Sequence, residues 1–96
     1  MTERKAKILV VDDEPSQRKM LKANLYLDGY EVFEAEDGTE AIARVSEEFY
    51  DLILMDNRMS QMDGIEALKE IKKISPGIPV IIITAHASVE TAVEAL

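Results

Sequence analysis

Leu52-Ile53-Leu54-Met55-Asp56 sets four apolar residues in a row ahead of a carboxylate. A continuous apolar run this short reads as a strand buried on both faces, as in the middle of a parallel sheet. At its end the chain leaves the core, and Asp56 stands at that exit. In open α/β sheets, ligands bind just outside the carboxyl ends of the strands. Asp56 is therefore the first candidate for chemistry.

The same signature occurs near the start of the chain. Ile8-Leu9-Val10-Val11 is a second unbroken apolar run, followed by Asp12-Asp13-Glu14. Pro15 suits the first turn of a helix, where its missing N–H costs nothing. Met20, Leu21, Ala23, Leu25 and Leu27 predict a broad apolar helical stripe within Ser16 to Asp28, with Gly29 free to close it in the left-handed conformation. Tyr30 to Ala35 reads as an edge strand, because Glu31 and Glu34 interrupt it. Asp37 and Glu40 form a capping-box pattern ahead of Ile42, Val45 and Phe49. Beyond Asp56, residues 57–62 read as a loop. Asp63 is placed as N-cap of a helix carrying Ile65, Leu68, Ile71 and Ile74, and Ser75-Pro76-Gly77 ends it. Pro79 to Ile83 is a fourth strand ending on Thr84, and Ser88 caps a last helix with Val89, Ala92, Val93 and Leu96 apolar.

Strand and helix alternate four times, the pattern of a parallel sheet with helices on both faces. Three of the four strands end on oxygen-bearing residues: Asp12-Asp13, Asp56 and Thr84. If the first and third strands are neighbours, the helix connections diverge between them and leave a crevice there, with both acidic clusters at its mouth.

Composition narrows the chemistry. Ninety-six residues, 47% hydrophobic and 31% charged, make one soluble domain with a single core. A net charge of −8 argues against this segment gripping nucleic acid or an anionic membrane. The absence of cysteine excludes disulfides, zinc ribbons and thiol nucleophiles together. No apolar stretch is long enough to span a bilayer and no secretory core follows the N-terminus, so a cytoplasmic address is the default.

Three carboxylates in one crevice repel one another, so without a counter-ion at least one pKa should rise. A hard divalent cation removes the conflict, and an all-oxygen set with few protein donors favours Mg2+. A carboxylate so placed can attack phosphorus and form an aspartyl phosphate, with the metal neutralising charge on the transferring group. Thr84 could donate its hydroxyl to a phosphoryl oxygen. Singly, each residue has a plainer role: Asp12-Asp13-Glu14 as a helix N-terminus, Asp56 as a turn residue, Thr84 as a strand end. Asp63 is assigned to capping, and His86, with no second His or Cys nearby, to the surface or the edge of a switch. The conjunction at strand ends carries the functional reading.

Val10-Val11-Asp12-Asp13-Glu14, Leu54-Met55-Asp56 with Met59 and Met62-Asp63-Gly64, and Ile83-Thr84-Ala85 together resemble the receiver domain of two-component response regulators, over essentially the whole chain. The resemblance implies a flavodoxin-like (CheY-like) doubly wound parallel sheet of order 2-1-3-4-5. It matches Asp56 to the phosphoacceptor, Asp13 to the direct Mg2+ ligand, and Asp12 to a ligand usually bound through water. Arg58 matches the position offering a backbone carbonyl to the metal, Thr84 the switch hydroxyl, and Ala85 the small residue beside it. Arg58 and His86 fall where the family tunes the lifetime of the phosphoryl bond.

Ser60 stands where the family usually has proline. The chain, read as a receiver domain over 1–96, ends before the fifth strand and helix, which hold the family's lysine and aromatic switch residue. The fourth strand should then be an apolar edge covered by a partner or oligomer contact, or the remainder disordered. Residues 84–96 are most similar to NtrC-type transcription activators. The implied partners are a sensor histidine kinase and an output domain or second receiver, a homodimer among them.

The expected function is a phosphorylation-driven switch, and no enzyme beyond assisting its own phosphorylation and dephosphorylation. The alternative is an interaction module of receiver fold that works without phosphorylation. A haloacid-dehalogenase hydrolase would want an aspartate where Arg58 stands. A flavodoxin-type flavin binder would want a phosphate-cradling loop where this chain has three acids.

Overall fold

The computed structural model describes residues 5–57 and 62–83. The expected strand-ending residue Thr84, the last helix, and Arg58, Met59 and Ser60 in the loop lie outside them. Among the described residues seven elements alternate: β1 (Lys7–Val11), α1 (Pro15–Leu27), β2 (Glu31–Ala35), α2 (Gly38–Glu47), β3 (Leu52–Asp56), α3 (Gly64–Ile74) and β4 (Val80–Ile83). The strands form one parallel sheet in the order β2-β1-β3-β4, the expected order over these four.

Local chemistry sets the boundaries. Pro15 opens α1, and Glu14 caps it by accepting from the Ser16 amide. Gly29 follows the helix with φ 94°, a left-handed geometry that a side chain would oppose. Asp37 and Asp63 cap α2 and α3, each accepting at 2.8 Å from the amide three residues on, Glu40 and Glu66. The capping-box partner Glu40 reaches back to the amide of Glu36, not that of Asp37.

The two faces of the sheet differ. Leu9, Val11, Ile53, Met55 and Ile82 pack with Ala41, Val45, Ala67 and Ile71 in one core under α2 and α3. On the opposite face α1 lies across β1 and β2, covering Ile8 and Val10. Leu52 and Leu54 are only half-buried there, and Ile81 is exposed. The expectation that β3 is buried on both faces therefore holds for its Ile53–Met55 side alone, because α1 does not extend over it among the described residues.

The expected apolar stripes hold in part. In α1, Leu21 and Leu25 turn inward on the same face as Arg18, which is buried, whereas Met20 and Leu27 are exposed. At 100° per residue, positions 18, 21 and 25 share a face and 20, 23 and 27 share the opposite one. In α2, Val45 is buried, but Phe49 lies past the helix end and is exposed; Tyr50 takes the core position instead and packs edge-on against Phe33. In α3 the stripe centres on Ala67 and Ile71; Ile65 lies on the opposite face, and Ile74, in phase with the stripe, is exposed at the last position of the helix. Ala67 lies against Gly38 at the start of α2, where a Cβ on Gly38 would come within 3.0 Å of the Ala67 Cβ, so the two helices approach closely there.

Replacing the fully buried Ile71 by alanine should cost about 2–4 kcal/mol in urea unfolding. Ile65→Ala on the same helix should cost less than about 1 kcal/mol.

Candidate functional site

Strand register builds the site. Ile8 pairs with Leu52, Val10 with Leu54 and Val11 with Met55. One further step sets Asp12 level with Asp56, and equal parity along two paired strands puts both on the same face of the sheet. Asp13 joins them from the turn into α1. One carboxylate oxygen from each of Asp12, Asp13 and Asp56 lies within 4.8 Å of the others. Asp12 is buried, Asp56 half-buried and Asp13 exposed, so the group opens to solvent through Asp13.

The turn carrying the first two acids is tied at every peptide. The Asp12 amide donates to the Ala35 carbonyl at the end of β2 (3.1 Å), and the Glu14 amide donates to Asp12 Oδ1 (2.9 Å). Arg18 Nη1 donates to the Asp12 carbonyl at 2.7 Å, and Arg18 Nε pairs with Glu34 at 3.0 Å. Sequence reading missed Arg18. Its signal was positional: a cation on the α1 face that also carries Leu21 and Leu25.

On the β3 side, the Asn57 amide donates to the Ile83 carbonyl (2.8 Å), and the Gly64 amide donates to the Asn57 carbonyl (3.1 Å). Both ends of the loop after Asp56 are thereby anchored. A Cβ at position 64 would lie 3.0 Å from both Asn57 Cα and the Asp56 carbonyl oxygen, so α3 starts against the backbone of Asp56 because residue 64 is glycine. Asp63 acts as the expected N-cap.

The electrostatics follow from the crowding. Two unit charges about 4 Å apart repel by about 4 kcal/mol at an effective dielectric near 20. Burial pushes the Asp12 carboxyl above its ordinary value, and repulsion from Asp56 and Asp13 adds to this, outweighing the Glu14 amide and Arg18. The expected upward shift in the crevice thus falls on Asp12, the most enclosed of the three. At Glu34 burial acts upward too, but hydrogen bonds from Arg18 and Lys22 hold the carboxyl below its ordinary value.

Asp12, Asp13 and Asp56, expected from two distant parts of the chain, are brought together. Arg58, Thr84, Ala85 and His86 lie outside the described residues. The arrangement offers three carboxylate oxygens to a cation, with Asp56 half-buried at the end of β3 and Asp13 exposed at the mouth of the group.

The family model for the response regulator receiver domain matches residues 8–96. The chain belongs to the response regulator receiver family. Transcriptional regulatory protein ZraR of Escherichia coli (strain K12) is 53% identical over 96 residues, covering 100% of this chain and 22% of ZraR. The chain thus spans about one-fifth of the length of the curated relatives it matches. These relatives are regulatory proteins, as the NtrC-type resemblance of residues 84–96 implied.

Among solved structures, a CheY-like receiver domain protein from Methanospirillum hungatei superimposes with a TM-score of 0.84 at 36% identity, over 94% of this chain and 72% of that one. Response regulator TrrA from Thermotoga maritima, in complex with Mg(2+)-BeF, gives 0.82 at 40% identity, over 85% of this chain and 71% of that one.

Two outcomes follow for the site. The folded chain binds a proton at Asp12 more tightly than the unfolded chain does. That contribution to stability is full below the unfolded value and is lost as pH rises through the raised folded value. Asp12→Asn should therefore raise Tm by a few degrees at neutral pH without metal, and the gain should shrink as pH falls through the acid range, measured by calorimetry. Gly64→Ala should lower stability by about 1–3 kcal/mol and shift the Asp56 and Asn57 amide resonances. Gly77→Ala, where a Cβ meets open space, should do neither.

Proposed function

We propose that this chain is a phosphoacceptor switch in which Asp56 accepts a phosphoryl group from a sensor histidine kinase. The convergence of Asp12, Asp13 and Asp56 at the carboxyl ends of two adjacent parallel strands carries the reading. An Asp56 carboxylate oxygen forms a bond to phosphorus as the P–N bond of the donor phosphohistidine breaks, and the imidazole leaves with the bonding pair and takes up a proton. By its place in the family motif, Thr84 would donate its hydroxyl to a phosphoryl oxygen.

The donor set fits Mg2+. Mg2+ takes oxygen ligands in octahedral geometry at about 2.0–2.1 Å, and the three carboxylates bring one oxygen each within 4.8 Å of the others. Asp12, Asp13 and Asp56, with the Arg58 carbonyl, would hold the ion, which when bound supplies positive charge to neutralise the phosphoryl oxygens. The Mg(2+)-BeF complex of TrrA supports this assignment.

The chain's own chemistry is limited to its phosphorylation and dephosphorylation. Its output would be transcriptional, exerted through an output domain, with a second receiver as another partner able to cover β4. Residues 1–96 act as the receiver domain of a longer regulator, and a cytoplasmic location goes with this reading. Among the described residues no helix is long and apolar enough to cross a membrane.

Incubation with a small phosphodonor and Mg2+ should add one phosphoryl group by intact-mass analysis. The adduct should vanish in Asp56→Asn and fall at least tenfold when Mg2+ is chelated. No adduct on the wild-type chain would favour the phosphorylation-independent interaction module.

A further inference from the structure

Among the described residues the two buried polar or charged side chains are Asp12 and Arg18, and they are joined. The bond runs from the Arg18 guanidinium to the Asp12 backbone carbonyl, leaving the Asp12 carboxylate to the acidic group. That carbonyl belongs to the peptide linking Asp12 to Asp13. Holding its oxygen fixes the plane of the peptide and with it the Asp13 nitrogen and Cα, so the point from which the Asp13 side chain departs is set from α1.

The guanidinium is itself aimed by a second element. Its Nε pairs with Glu34 on β2, and Lys22, one turn further along α1, reaches the other Glu34 oxygen at 3.4 Å. The Asp12 amide is held by Ala35, the neighbour of Glu34 on the same strand. The turn bearing two of the three acids is thus clamped on its amide and carbonyl sides by one edge strand and one helix. A planar fork suits this geometry, because Arg can present two N–H groups in fixed relation to two acceptors and Lys cannot.

We propose that Arg18, aimed by Glu34, is a positioning residue that pre-orients the Asp12–Asp13 turn for a divalent cation. The inference rests on the magnesium-binding reading above for the ion, but not for the turn. Arg18 touches neither reacting atom; it acts through the peptide between the two acids. Residues that orient metal ligands in this way typically change affinity 10–100-fold when lost.

The test compares wild type with Arg18→Lys, Glu34→Gln, and the double variant Arg18→Met with Glu34→Gln, which removes the Arg18–Glu34 ion pair whole and leaves neither of its two charges unpaired. Two readouts are taken well below Tm: Mg2+ affinity by calorimetric titration, and hydrogen exchange of the Asp12 and Glu14 amides without metal. Positioning predicts that the double variant binds Mg2+ at least tenfold more weakly, with Arg18→Lys and Glu34→Gln between it and wild type. It also predicts faster exchange at Asp12 and Glu14 while amides of β3 and α3 keep their protection.

Wild-type Mg2+ affinity in the double variant would overturn the proposal. So would exchange that accelerates uniformly across the fold, the mark of a merely structural ion pair, or exchange unchanged at residues 12 and 14. If the wild-type chain itself ignores Mg2+ while exchange at 12 and 14 responds to Arg18, the magnesium reading falls and the positioning of the turn stands.

Discussion

Like charge at the end of adjacent strands is the constraint around which this fold is arranged. The β1–β3 register buries Leu9 with Ile53 and Val11 with Met55, and the same register carries Asp12 to the level of Asp56. Neither half can be changed alone. Slipping the register by one residue would separate the acids but would turn every core side chain of a strand to the other face. The apolar core therefore supplies the energy that holds mutually repelling carboxylates together.

The surroundings of Asp12 show how the repulsion is contained. Its amide, carbonyl and carboxylate are each hydrogen-bonded, to Ala35, Arg18 and Glu14. These bonds satisfy the buried polar groups without neutralising the carboxylate, so Asp12 remains a group that binds a proton more readily than usual. A site held in this condition responds to added positive charge, whether a proton or a cation, by becoming more stable.

The two helical layers do different work. Under α2 and α3 the core is apolar and closed, and it fixes β3 and the start of α3 against Asp56. Across the sheet, α1 is attached through Leu21 and Leu25 together with the Arg18–Glu34–Lys22 ion network. A helix joined partly by charge, with its first turn adjoining the acidic turn, is electrostatically linked to the site in a way that α2 is not.

The sequence by itself determined the strands, the helix caps and the acids, because each is written in a short stretch: unbroken apolar runs for strands, Asp37 and Asp63 before helices, and carboxylates where β1 and β3 end. Their meeting was legible as soon as the strand order was, since parallel neighbours expose the same end. Only the tertiary structure decided which helical residues face inward. The α1 and α3 stripes were wide enough for several phases, and close approach at Ala67 and the pull of Glu34 on Arg18 selected one. The role of Arg18 was beyond local reading for the same reason: its partners, the Asp12 carbonyl and Glu34, come from different elements and become neighbours only when α1 packs across β1 and β2.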